Sequence, residues 1–167
     1  MKRLLTIILI IYSAAGCIKD RPAGSDIKTG DSLPGFEVMM SDGSSVSDVS
    51  LRGNTSIVMF FHTSCPDCQQ VLPVMQRIYD EYTQKGLKTA LISREENSDD
   101  ISAYWSKNSL NMPYSAQKDR KIYELFAASR IPRIYISDEN GTVRYIFTDD
   151  PVPSYDDLKS SLESLIR

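Results

Sequence analysis

Apolar and polar positions divide this chain into a short apolar leader, a polar linker and a long patterned region. Leu4 to Tyr12 is a mainly apolar run of about nine residues. Lys2 and Arg3 precede it, and the small residues Ser13-Ala14-Ala15-Gly16 lead from it to Cys17. The run is well short of the roughly twenty residues that a membrane-spanning helix needs. Ile18 to Gly30 loses all periodicity and contains Pro22, Gly24 and Ser25, the composition of a flexible tether.

From Phe36 the pattern becomes informative. Phe36, Val38 and Met40 alternate with other positions as in a strand, Ser41-Asp42-Gly43-Ser44 is a turn, and Val46, Val49 and Leu51 continue apolar beyond it. Ile57 to Phe61 is a continuous apolar run, the mark of a buried strand. Val71, Leu72, Met75, Ile78, Tyr79 and Tyr82 recur at three and four residues, predicting a helix from Cys65 to about Lys85, kinked at Pro73 and capped by Gly86. A strand over Leu87 to Ser93 follows, then a helix capped by Ser98 and running from Asp99 to about Asn108. Leu110 to Gln117 holds a short strand, and Asp119 to about Ala128 is a helix with Ile122, Leu125 and Phe126 inward. Ile131 to Ser137 and Thr142 to Thr148 are strands joined by a turn ending in Asn140-Gly141, and Pro153 to Ile166 closes the chain as a helix. This order predicts one α/β domain: a central mixed sheet with helices on both faces.

Composition then narrows the chemistry. The basic leader, its apolar run and the small residues have the form of a secretory signal over residues 1–16. Removing it leaves 151 residues, enough for one domain, with 17 basic against 22 acidic side chains. With no basic cluster, nucleic acid is excluded as a partner. The chain has three cysteines, and Cys65 and Cys68 are spaced C-x-x-C at the point where the buried strand turns into a helix. That places a thiol where unpaired N–H groups and the positive end of the helix dipole favour a thiolate. The loop is too short for its closure to stabilise the fold much, so the pair reads as chemistry. A zinc site needs four ligands, whereas His62 is the only histidine and there is no second C-x-x-C. Pro66 suits the first turn of a helix and could equally tune the thiols. Asp67 lies between the thiols; its charge opposes a thiolate by about 0.6 kcal/mol at ~7 Å in water. His62, three residues before Cys65, is either a loop histidine or a proton carrier beside the thiols.

The set Cys65-Pro66-Asp67-Cys68, with Pro73 five residues on and Pro132 ahead of a strand, resembles the active site of the thioredoxin superfamily. The opening Gly30-Asp31-Ser-Leu-Pro34-Gly-Phe36, with Asp42-Gly43, Leu51-Arg-Gly53 and Asn140-Gly141, is similar to its TlpA/ResA branch, which is related to the AhpC/TSA peroxiredoxins. The resemblance covers residues 30–167 and implies a thioredoxin-like three-layer sandwich with an N-terminal β-hairpin extension. It implies an exported thiol–disulfide oxidoreductase that needs no cofactor beyond a redox-active Cys65–Cys68 disulfide. Cys65 would be the nucleophile and Cys68 the resolving thiol. Pro132 would be cis, leaving the Ile131 backbone to pair with a substrate. Ala14-Ala15-Gly16-Cys17 resembles the bacterial lipobox, implying a lipid on Cys17, a linker over residues 17–29 and a monomer anchored in the cell envelope. Disulfide-bearing exported proteins and a membrane electron-donor thiol protein are the implied partners.

The sequence departs from the family at three places. Ser64 stands where a tryptophan commonly precedes the first cysteine, Met59 where thioredoxin has a buried aspartate, and Val71 where some of the branch have a glutamate. The usual proton acceptors for the second thiol are therefore missing. Two alternatives stay open: a thiol peroxidase, although Thr63-Ser64-Cys65 is one residue short of the T-x-x-C pattern, and a tethered binding module without catalysis. Tyr104 and Trp105 read as helix-packing residues.

Overall fold

The computed structural model describes residues 26–166; the leader, Cys17 and most of the linker lie outside the described residues. Within them the chain forms β1 (Glu37–Met39), β2 (Ser45–Ser47), α1 (Asp48–Leu51), β3 (Ser56–Phe61), α2 (Pro66–Tyr82) and β4 (Lys88–Ser93). There follow α3 (Ser98–Lys107), β5 (Tyr114–Ser115), α4 (Lys121–Glu124), β6 (Arg133–Ser137), β7 (Val143–Phe147) and α5 (Tyr155–Glu163).

The central sheet has the order β5-β4-β3-β6-β7, with β3 parallel to β4 and antiparallel to β6. All six residues of β3 are buried, which is why its sequence is a continuous apolar run rather than an alternation. Its polar residue, Ser56, shares a 2.6 Å hydrogen bond with Ser137 directly opposite on β6. Consecutive strand residues face opposite sides, and the side chains show both faces covered. Phe60 meets Tyr123 of α4 and Phe126, at 5.4 and 4.9 Å between ring centres, while Phe61 meets Trp105 of α3 at 5.2 Å. The expected three-layer sandwich is the architecture observed, and β1–β2 forms a separate antiparallel hairpin at its N-terminal side.

Helix α2 buries Cys68, Val71, Leu72, Met75, Ile78 and Tyr82. Pro73 lies inside it but on the exposed face, so the helix continues to Tyr82. A single 3-10 turn, Thr83–Lys85, then ends at Gly86, whose φ of 91° is one that glycine adopts at no steric cost. Trp105 is a packing residue, as expected: it is 5% exposed and its indole N–H donates to the Met112 carbonyl at 2.9 Å.

The apolar positions after β2 lie on a helical turn: Ser47 and Ser50 form a capping box that starts α1, exposing Val49 and burying Leu51. Three local expectations need correction. Asn97, not Ser98, caps α3, accepting from the Asp99 and Asp100 N–H groups. The helix expected from Asp119 is the single turn α4, followed by tighter turns through Ala127. The inward residues are therefore Tyr123 and Phe126, whereas Leu125 is 41% exposed. Finally, packing begins before Gly30: Ile27 is 2% exposed, its N–H donates to the Phe126 carbonyl, and Asp26 pairs with Arg133 at 2.5 Å.

Candidate functional site

The parallel strands β3 and β4 end side by side at Phe61 and Ser93, and both continue into loops at this carboxyl edge of the sheet. The β3 loop is short. Cys65 is already the N-cap of α2, with no side chain capping its free N–H groups, and Pro66 fills the first helical position. The turn is closed by the Cys65 N–H donating to the His62 carbonyl at 3.1 Å. Asp67 lies in the first turn of α2, half-buried, with its carboxylate within 3.5 Å of the Gln70 amide.

Both cysteines are free thiols, and they differ in solvation: Cys65 is partly exposed and Cys68 fully buried. The Cys65 thiol donates to the Ile131 carbonyl at 3.6 Å, and the Ile131–Pro132 peptide bond is cis. The structure thus brings Cys65, Cys68, Ile131 and Pro132 together from α2 and the start of β6. Burial pushes the Cys68 thiol well above the ordinary thiol range, and the neighbouring Cys65 adds to this. The main chain of His62 and the charge of Arg94 act in the opposite direction. Tyr104 is also raised, first by burial and then by Cys68, which places its phenol near the pair. Met59 and Val71, at the positions where the family resemblance leads one to expect an acid, are fully buried among apolar side chains.

His62 faces an acid instead. Its Nδ1 is 3.6 Å from Glu96 Oε1, and it lies 3.1 Å from the Ser64 N–H and 2.9 Å from the Ser64 hydroxyl. Glu96 is 4% exposed; it accepts from the Thr63 N–H at 2.9 Å and from the Thr63 hydroxyl. Thr63 is held from the other side too, because the Gln69 amide of α2 donates to its carbonyl at 2.7 Å. Sequence reading missed Glu96: Glu95-Glu96 after Ser93 looks like a solvated loop, and nothing local marks one of them as buried. Arg94, also unremarked, lies on the same loop, its N–H donating to the Phe61 carbonyl at 2.8 Å.

An open groove of about 390 Å³ runs beside the turn, lined by His62, Ser64, Glu96, Asp100, Tyr104 and Lys107 among others. A second groove of about 400 Å³ lies between β2 and α2, at the opposite end of β4, and contains neither cysteine. Among the described residues no group of three or more His, Cys, Asp or Glu could hold a metal ion.

Fold and turn together define a thioredoxin-fold protein with a C-x-x-C dithiol at a helix N-terminus. The AhpC/TSA family pattern matches residues 29–146, and the chain belongs to that family. Its likeness is to the ResA type. It is 24% identical over 140 residues to a thiol-disulfide oxidoreductase ResA of Bacillus thuringiensis, covering 82% of this chain and 81% of the relative. A ResA of Oceanobacillus iheyensis is 23% identical over 147 residues, covering 86% and 76% respectively. Among solved structures, the thioredoxin domain of a thiol-disulfide oxidoreductase from Bacteroides vulgatus superposes with a TM-score of 0.73 at 21% identity, covering 85% of this chain and all of that one. A thiol:disulfide interchange protein from Chlorobium tepidum gives 0.72 at 21%, covering 86% and 100%.

Proposed function

We propose that this protein is an exported thiol–disulfide oxidoreductase that reduces disulfides of other exported proteins through Cys65 and Cys68. The observation that carries the reading is the contact between the Cys65 thiol and the Ile131 carbonyl, next to cis-Pro132, with Cys68 buried one turn on. The names of the ResA relatives support the same reaction class.

In this reaction the Cys65 thiolate attacks one sulfur of the partner's disulfide. The S–S bond breaks, and the other partner sulfur leaves with the electron pair and takes a proton from water. Cys68 then loses its proton and attacks Cys65 in the mixed disulfide, releasing the second partner thiol. The partner gains two electrons, and Cys65–Cys68 becomes a disulfide that a membrane thiol protein would reduce again. Capture of Cys65 also removes its charge from beside Cys68, one of the causes that raise the Cys68 thiol, so the resolving thiol ionises more readily once it is needed. The backbone of Ile131, which already meets the Cys65 thiol, would align an extended substrate segment, and Pro66, Asp67 and His62 would tune the pair.

The protein from residue 18 onward should catalyse insulin disulfide reduction by dithiothreitol, and Cys65→Ser should bring the rate to background. An inactive wild type sinks the proposal; hydrogen peroxide consumption exceeding disulfide reduction would favour the peroxidase alternative. The lipid anchor belongs to the same proposal: in the full-length chain, Cys17→Ser should move the protein from the membrane fraction to the wash. Equal membrane retention of the two proteins would exclude Cys17 as the anchor.

A further inference from the structure

We propose that Glu96 is a positioning residue of this redox site, pinning the turn ahead of Cys65 and biasing the cysteine pair towards its disulfide with a fixed negative charge. The inference rests on the oxidoreductase reading above and assigns its site a residue from a different strand loop.

The geometry is that of an acid built into the site rather than a stray surface carboxylate. Glu96 is 4% exposed, and both its oxygens are used on Thr63, two residues before Cys65. Its own main chain is anchored as well, the N–H donating to the Gln117 carbonyl at 2.8 Å and the carbonyl accepting from the Ser93 hydroxyl at 3.4 Å. With the Gln69 amide holding the Thr63 carbonyl, both ends of that residue are clamped.

The charge on this acid is not cancelled by a cation. The only basic group within ion-pair distance of Glu96 among the described residues is His62, at 3.6 Å through Nδ1. A backbone N–H can only donate, so the 3.1 Å contact from the Ser64 N–H makes Nδ1 an acceptor and leaves it no proton for Glu96. Among the described residues the carboxylate therefore accepts hydrogen bonds only from the N–H and hydroxyl of Thr63, which satisfy it without neutralising it.

A negative charge held beside the turn disfavours a thiolate on Cys65 and leaves the uncharged disulfide untouched. It therefore makes the dithiol a better reductant. The relevant exchange is protein disulfide plus two glutathione thiols giving protein dithiol plus glutathione disulfide, two electrons passing to the protein. Glu96→Gln keeps the size and can keep the bond from the Thr63 N–H while removing the charge.

The test is equilibration of the whole mature protein with glutathione buffers at pH 8, with Cys65–Cys68 oxidation read by thiol alkylation and mass. Glu96→Gln should shift the equilibrium about three- to tenfold towards the dithiol, tenfold being about 30 mV in potential. A variant that melts earlier yet keeps the wild-type equilibrium overturns the proposal and leaves Glu96 a structural residue. If Glu96→Gln does not fold, Thr63→Val decides the matter: it removes a donor that offsets the charge and should shift the equilibrium towards the disulfide. No shift, or one towards the dithiol, overturns the proposal. A wild type that forms no Cys65–Cys68 disulfide in any of these buffers sinks the oxidoreductase reading itself, an outcome distinct from a cycling wild type with an unmoved variant.

Discussion

Cys68 loses all of its solvent contact where α2 packs on β3, whereas Cys65, one turn earlier at the N-cap, keeps part of its own. That difference in solvation suits the unequal roles proposed for the two sulfurs, an accessible nucleophile and an enclosed resolving thiol. It also has a consequence for stability. A thiol whose folded pKa is raised keeps its full contribution below the unfolded value of about 8.5. Above it, only the unfolded chain gains by ionising, so the contribution is lost as the pH rises towards the folded value. Between pH 9 and pH 10 the reduced wild type should lose about 1.2 kcal/mol more stability than reduced Cys68→Ala, as measured by urea unfolding. Parallel pH profiles for the two proteins would show that Cys68 is not shielded as described.

At the scale of elements, the site depends on β3 being held straight between β4 and β6, with its end at Phe61 level with Ser93. A polar pair at the start of β3, Ser56 with Ser137 at the end of β6, is buried and mutually hydrogen-bonded across the strand register. Ser137→Ala should cost about 1–3 kcal/mol, because it strands the Ser56 hydroxyl in an apolar layer. Adding Ser56→Ala should cost less than the sum of the two single changes. Chemical denaturation of the four proteins checks this; strictly additive losses would mean the two hydroxyls do not depend on one another.

Across the whole molecule, the N-terminal segment straps the sheet edge to the loop before β6. Ile27 is enclosed near Phe126, and Asp26 reaches the Arg133 guanidinium, next to Pro132. Burial alone would raise the Asp26 carboxyl, but the Ala128 N–H and Arg133 hold it below the usual range. Asp26 therefore contributes stability above about pH 3.9 that is lost as the pH falls through its lowered folded value. The carboxylate is partly exposed, which limits the worth of the pair to about 1 kcal/mol, while enclosing Ile27 contributes about 1.5–3 kcal/mol. A chain beginning at Gly30 should thus be about 2–4 kcal/mol less stable than one beginning at Asp26, read from urea midpoints. Equal midpoints would make residues 26–29 part of the tether after all.

The features legible from residue order are those with local causes. The apolar run in β3, the three-and-four spacing of α2, the turn ending in Asn140-Gly141 and the C-x-x-C at a strand-to-helix junction each arise from neighbours within one or two turns of chain. They suffice for the architecture and for the thiol pair. The length of α4 was not legible, because packing at Tyr123 and Phe126 overrides the propensity of a segment that could have continued as a helix. Nor was the partner of Arg133, 107 residues away, or the acid at Thr63, 33 residues away. Met59 and Val71 show in the sequence that the usual acids are gone. That Glu96 occupies the same turn from another strand follows only from the parallel pairing of β3 with β4, since burial and proximity are properties of the packed sheet and not of any stretch of chain.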